Sequence, residues 1–470
     1  MQKIFTPILL AIVLSQPNQA LSATKESPLP KSVESLIAKY RISSRNLSLY
    51  VAEERKVLLA LNENHVRVPA SVTKLVTAYS ALKNFPPGTQ FSTELKSIAP
   101  KEASALKGDL YLVGGGDPGF VSETLWVLVN HFSRSGIRKI EGDLVIDDFL
   151  FTRERFDSSR QDLRVQRAYD APVGAASFNW NSVNVSIRPG EVGKKAEVIL
   201  DPVNSYTELQ NRTQTTSKSK SDIRIDRKSK PGSDLFIVEG TISESETELI
   251  KFASITQPDL WMGHNLKEFL RQRGIDVSGN IRSGKTPDLT TTSWARVQSK
   301  PIELIVADMN KFSNNYVAEM LALHLGLLVQ SPGTIENGMS RIRQDLLELG
   351  LKSTEINLSN PSGFNRENQM TAKGLFILIE NIKNDFSLFP EFLSGLPIAG
   401  VDGTLKSRMK NQSRMVRAKT GLLSGVNSMA GYMARSNRDP LPFVFIHNGP
   451  EDASKVRQFF DDLTKVAVQL

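Results

Sequence analysis

A chain of 470 residues, 40% hydrophobic and 23% charged, is too long for one ordinary core and predicts two or three folded units. It contains no cysteine, which excludes disulfides, thiolate metal sites and a cysteine nucleophile; its five histidines (His65, His131, His264, His324, His447) have no zinc-ligand spacing. The net charge of +8 is modest for this length, suits an acidic cell surface and does not call for nucleic acid.

The N-terminus has the three parts of a secretory leader over residues 1–23. Lys3 supplies the positive end, Ile8 to Leu14 the apolar run, and Ala20, Ser22 and Ala23 the small residues for cleavage. That run is too short for a permanent membrane anchor, so membrane contact is expected to be peripheral at most. Lys31 to Tyr40 reads as a short helix. Leu47, Leu49 and Val51 alternate, and Val57 to Leu61 returns after a charged turn, which predicts a hairpin. Behind Pro69, the spacing of Val72, Leu75, Val76, Tyr79 and Leu82 predicts a helix over Ser71 to Leu82.

From about 90 to 290 the texture changes to short strand-like runs with turn signals. Leu125-Trp126 leads through a helical stretch to Gly136-Ile137, Gly142 and the strand Asp143 to Ile146. Leu260-Trp261 leads likewise to Gly274-Ile275, Gly279 and Asn280-Ile281. This weak echo predicts one unit (91–150 and 255–290) interrupted by another (151–254), with strands at Ser182–Ile187, Ala196–Leu200 and Leu235–Val238. Residues 211–232, polar and basic, are expected to be a mobile surface loop. Gly279 to Thr286 fits the phosphate-loop spacing, but Pro287 follows and no amphipathic helix begins there, so the match is read as accidental. Gly114 to Gly116 is read as a tight turn.

Beyond 300 the chain is helical, with apolar spacing over Ile302 to Leu328 and Ser340 to Leu349. Strands follow at Met415–Thr420, Ser428–Ala434 and Phe443–His447. A closing amphipathic helix carries Val456, Phe459, Phe460, Leu463 and Val466 on one face. The front hairpin and the three late strands predict a five-stranded antiparallel sheet flanked by the terminal helices, built from 24–90 and 291–470.

Ser71-Val72-Thr73-Lys74 sets a hydroxyl and an amine one helical turn apart. A desolvated lysine can lose its proton and activate serine, and the helix start offers N–H groups to a developing oxyanion. Alone the spacing carries little, since it recurs at Ser22/Lys25, Ser80/Lys83, Ser104/Lys107, Ser217/Lys220 and Ser407/Lys410. Its companions carry the signal. Ser313-Asn314-Asn315 lies between helical stretches and Lys419-Thr420-Gly421 ends a predicted strand, in the chain order of penicillin-recognising acyl-enzymes.

With these motifs, the chain resembles the low-molecular-mass class C penicillin-binding proteins, the D-Ala-D-Ala carboxypeptidase family S13. The likeness extends to Gly114–Pro118, Gly142–Asp147, Ala318-Glu319, Ser362-Gly363, Arg366 and Leu396–Leu405, and to the long insert between Lys74 and Ser313. It implies an α/β (α+β) transpeptidase-like domain carrying two largely β accessory domains. It also implies a cofactor-free, metal-free periplasmic enzyme acting on peptidoglycan stem peptides and acylated by β-lactams. By that resemblance Ser71 is the nucleophile and Lys74 its base. Ser313 with Lys419 relays the proton, and Asn315 holds the substrate amide. Thr420, Gly421 and Leu422 align the substrate, with the N–H groups of Ser71 and Leu422 as oxyanion hole. Asp147 and Arg366 match positions that contact the stem peptide's diamino acid. The chain departs from the pattern at Leu422, where a hydroxyl residue is usual, and at Asn360-Pro361, where Asp-Gly is usual. Rival readings are a β-lactamase or esterase of the same chemistry, and a catalytically dead peptidoglycan-binding protein.

Overall fold

The computed structural model describes residues 29–54, 56–156, 168 and 171–470; the leader expected at 1–23 lies outside them. Five strands form one antiparallel sheet in the order Lys56–Leu61, Leu47–Glu53, Arg438–Asn448, Val426–Arg435, Val416–Leu423. This is the sheet expected from the front hairpin and the late strands. Leu47 to Ala52 are buried without alternation, because helices cover both faces. On one side lie the first helix, Lys31–Tyr40, and the last, Ala453–Ala467, whose Val456, Phe459, Phe460 and Leu463 join Val33, Leu47 and Phe445 in one cluster. On the other lie the helices Lys74–Asn84, Ile302–Lys311, Asn315–Leu327, Ile335–Glu348 and Ala372–Asn384.

The apolar spacing over 302–328 is not one helix. It breaks at Phe312 to Asn314, where Ser313 takes a left-handed backbone (φ 55°) and Asn314 caps the next helix by accepting the N–H of Val317 at 3.3 Å. The break puts Ser313 on a turn pointing back at the sheet.

The insert repeats one motif. The helix Ser122–Ser133 leads to strands Lys139–Ile140 and Leu144–Asp147; the helix Pro258–Gln272 leads to Asp276–Val277 and Ile281–Ser283. Corresponding strands pair in parallel, 276–277 with 139–140 and 281–283 with 144–146. The echo in the sequence is therefore a pair of units side by side. Its two tryptophans diverge: Trp261 is buried and donates to the carbonyl of Phe178 at 2.9 Å, whereas Trp126 faces solvent. No helix starts within Gly279–Thr286.

Two expectations need correction. Residues 211–232 are not a loop: Thr207–Thr216, Asp222–Lys230 and Ser233–Ser243 form a three-stranded sheet. Its inward positions include Thr213, Thr215 and Ile223, so the alternation runs on threonine and escapes a search for apolar residues. Gly114 to Gly116 is not a turn but a wedged segment; a Cβ on Gly115 would lie 1.9 Å from the carbonyl oxygen of Ser92. Phe151, Ala171, Val173 and Ala175 pack into the helical core of the main body, and among the described residues the first strand after Asp147 begins at Ser182. Among the described residues no helix is long and apolar enough to cross a membrane.

Candidate active site

The Ser71–Lys74 motif begins in a short 3-10 turn, Ala70–Thr73, that runs into the helix Lys74–Asn84. Ala70 is left-handed (φ 51°), a sparsely populated state for a side chain with a Cβ. The turn is fixed from three sides. The Thr73 hydroxyl donates to the Ala70 carbonyl at 2.9 Å, the Ser428 hydroxyl donates to the Pro69 carbonyl at 2.5 Å, and the Asn368 amide donates to Thr73 Oγ1 at 3.2 Å.

Lys74 is fully buried. Its Nζ contacts Ser71 Oγ at 3.2 Å, Asn315 Oδ1 at 2.7 Å and the Ser362 carbonyl at 2.6 Å. The amine thus bridges two of the three motifs. The third motif enters through Lys419 on the edge strand Val416–Leu423. Its Nζ donates to Ser313 Oγ at 2.8 Å and to the Thr420 carbonyl at 2.6 Å. Lys419 is also fully buried, and loss of hydration lowers its pKa to about 7. Ser71, Lys74, Asn315, Ser313 and Lys419 therefore form two hydrogen-bonded groups, one on each lysine.

Gly421 lies where the edge strand meets the turn that carries Ser71. A Cβ there would stand 2.3 Å from Ser428 Oγ, 2.8 Å from the Pro69 carbonyl oxygen and 3.0 Å from the Ser71 nitrogen. Only glycine lets the strand approach so closely. Gly421→Ala is expected to push strand and turn apart, costing about 1–3 kcal/mol of stability. If the N–H groups here receive an oxyanion, as the resemblance implies, the same shift should slow acylation roughly 10²-fold or more. Thermal melting with stopped-flow acylation checks both; an alanine variant acylated at the wild-type rate would contradict this packing account.

Leu422 is about half exposed, so its side chain is free of the core. The Thr420 hydroxyl donates to Thr404 Oγ1 at 2.8 Å. That contact accounts for part of the 396–405 run, which also folds back through Lys311: its Nζ meets Asp402 at 2.5 Å and the Leu396 carbonyl at 3.2 Å. Lys311 ends the helix before Ser313, so this ion pair ties the serine turn to the edge strand's flank.

Sequence reasoning missed a supporting loop. The Asn360 carboxamide oxygen accepts the N–H groups of Ser362 (3.2 Å) and Gly363 (2.8 Å), which aims the Ser362 carbonyl at Lys74. Buried Asn368 accepts the N–H groups of Ser359 and Asn360 and donates to the Asn360 carbonyl. The departure at Asn360 therefore retains an acceptor at the turn. Asparagines beside Pro361 and Gly363 are turn signals, but nothing in their spacing reveals a lysine as the beneficiary.

Two assigned residues stand apart from the lysine groups. Arg366 donates to the Ser424 carbonyl, in the turn that follows the edge strand. Asp147 ends the strand Leu144–Asp147, and its carboxylate accepts the N–H of Phe149 at 3.2 Å and of Thr286 at 2.7 Å. Neighbouring Asp148 is buried against Arg155 and the Ala176 N–H and is not open to a ligand. His324 is structural: stacked on Phe91 and bonded to the Gly116 carbonyl, it has a pKa that burial lowers to about 4.

The solved structure of penicillin binding protein 4 from Haemophilus influenzae superposes with a TM-score of 0.80, covering 93% of this chain and 99% of that one at 23% identity. It shares this fold. In sequence, the D-alanyl-D-alanine carboxypeptidase of Actinomadura sp. (strain R39) is 30% identical over 405 residues, 81% of this chain and 73% of its own length. The D-alanyl-D-alanine carboxypeptidase DacB of Haemophilus influenzae is 25% identical over 411 residues, 84% of this chain and 83% of its own. With residues 29–469 matching its family pattern throughout, the chain belongs to the D-Ala-D-Ala carboxypeptidase 3 (S13) family, a family of serine-type peptidases.

Proposed function

We propose that this protein is exported to the periplasm and trims peptidoglycan there as a D-Ala-D-Ala carboxypeptidase and DD-endopeptidase, through an acyl-enzyme on Ser71. The observation that carries the reading is the bridge from buried Lys74 to Ser71 Oγ and Asn315 Oδ1, set beside a second buried lysine on Ser313. Neutral Lys74 takes the Ser71 proton as Oγ attacks the carbonyl carbon of the penultimate D-alanine. The N–H groups of Ser71 and Leu422 receive the oxyanion. Ser313, held by Lys419, gives its own hydrogen to the leaving amine and is reprotonated by the proton that Lys74 took, so the C–N bond breaks, D-alanine or the cross-linked neighbour departs, and Lys74 is neutral again. Water then attacks the ester carbonyl and loses a proton to Lys74, which returns it to Ser71 Oγ as the ester bond breaks. The fully bonded lysines favour a working enzyme over a dead scaffold. The experiment is release of D-alanine from a pentapeptide and of monomer from a cross-linked dimer; neither product from folded protein would reject the reading. β-Lactams should form a stable adduct, and rapid β-lactam turnover would favour the lactamase instead.

Lys419 gives this reading a pH signature. With its pKa at about 7, the free enzyme holds the Lys419 charge below neutrality and loses it as pH rises through that value. The charge attracts the substrate's terminal carboxylate, so kcat/KM is expected to fall above about pH 7. The decline should approach tenfold per pH unit where this proton is limiting. Lys419→Arg stays charged and should lack that limb at a lower plateau. A limb unchanged in the arginine variant would assign it to another group.

We also propose that Asp147 receives the free ammonium of a diaminopimelate-type stem peptide, while Arg366 shapes the turn beyond Leu422. Asp147→Ala is expected to lose roughly ten- to a hundredfold in kcat/KM on amine-bearing peptides and almost nothing on benzylpenicillin. Equal losses on both would reduce Asp147 to its two backbone bonds.

A further inference from the structure

Beside Ser313 and Asn314 opens a cleft of about 950 Å³, shared by Phe312 of the main body and the strands of the insert. This is the upper end of the size of small-molecule sites and far more than a D-alanyl-D-alanine end needs. Three aromatic rings line it with unusual exposure: Phe312, 71%; Phe252, 58%; Trp180, 45%. Trp180 is held there at a backbone cost, since Asn179, Trp180 and Asn181 are all left-handed (φ 49°, 51° and 51°). Bonds from Asn179 to Ser122 and from Asn181 to Pro172 and Ser177 keep the turn in that shape.

The floor of the cleft has a pattern of its own. Asp201 pairs directly opposite Asn184, and Asn184 directly opposite Phe252, in a row across three adjacent strands. Their chain neighbours Val183, Val185, Leu200 and Ala253 are buried on the other face, so the row faces the cleft. At strand spacing the row spans roughly 10 Å. It offers an apolar ring, a carboxamide and a carboxylate in line. A pyranose ring has an apolar C–H face for the first and vicinal hydroxyl or acetamido groups for the other two.

We propose that this cleft is a saccharide subsite, taking an N-acetylhexosamine of the glycan that bears the stem peptide. The inference rests on the peptidoglycan reading above. The glycan would then anchor the substrate on the Ser313 side, away from the Arg366 turn, so that a sugar-bearing peptide is used better than the bare peptide.

The test compares a disaccharide pentapeptide, the same pentapeptide without sugar, and benzylpenicillin, for wild type, Phe252→Ala and Asn184→Ala. Wild type should prefer the sugar-bearing peptide by roughly tenfold in kcat/KM, and each variant should lose that preference. Both variants should keep wild-type rates on the bare peptide and on penicillin. No preference in wild type, or one that survives both variants, overturns the subsite. A loss confined to sugar-free cross-linked dimers would give the cleft to the second peptide and overturn it equally. Titration with N,N′-diacetylchitobiose, followed by tryptophan fluorescence, reads the site without turnover. A saturable change in wild type that is absent in Phe252→Ala is expected, and it stands even if the peptidase reading fails. No change in wild type counts against the subsite.

Discussion

Ser71→Ala is expected to end release of D-alanine from a pentapeptide, lowering turnover by roughly 10⁴- to 10⁶-fold, while the protein stays folded. The hydroxyl is the only group removed, and among the described residues its hydrogen bond is to Lys74. That lysine keeps Asn315 Oδ1 and the Ser362 carbonyl, so no buried donor is orphaned and the turn at 70–73 keeps its other ties. A melting temperature close to wild type should accompany the loss. The alternative serines fail on placement. Ser80 is buried with its hydroxyl on the Asp345 carboxylate, and Ser104 lies on the insert.

Lys74→Arg is the second large effect. Arginine does not deprotonate in the working pH range, so it cannot take the serine proton; a lost general base costs roughly 10²- to 10⁴-fold. The guanidinium must also fit where a compact ammonium is enclosed by Ser71 Oγ, Asn315 Oδ1 and the Ser362 carbonyl, all within 3.2 Å. Overpacking alone could therefore lower activity. Lys74→Met keeps the length, removes the base and adds no bulk, so it separates the two causes. Both variants should be acylated by penicillin far more slowly than wild type at every pH tested. An arginine variant acylated at near wild-type rate would remove Lys74 from the mechanism and leave Ser71 in it.

What the sequence disclosed and what it hid divide along physical lines. Ser71, Lys74, Ser313, Asn315 and Lys419 could be singled out as a set by their order along the chain, and the fold brings them into two hydrogen-bonded groups, one on each lysine. The five-stranded sheet was legible because its strands are apolar and its closing helix has one oily face at Val456, Phe459, Phe460 and Leu463. Of the sheet at 207–243 the segment 235–238 was legible; the two strands beside it were not, because threonines hold inward positions of the first and the charges of the second, Lys228 and Lys230 among them, are exposed. The polar triplet Ser313-Asn314-Asn315 marked a junction between apolar stretches, but nothing in it foretold the left-handed backbone at Ser313. The shell behind Lys74 was hidden for another reason. Asn360, Ser362 and Asn368 act through turn geometry and backbone carbonyls, which leave no periodic trace. The row Asp201–Asn184–Phe252 depends on strand register across residues far apart in the chain, which periodicity along one strand cannot give.

The central claim is that Ser71 forms the acyl-enzyme, and mass spectrometry after brief exposure to benzylpenicillin tests it most directly. One stable penicilloyl group per chain is expected, mapping after proteolysis to the peptide that contains Ser71 and absent from Ser71→Ala. An adduct on any other residue, or one that persists in the alanine variant, would contradict the account.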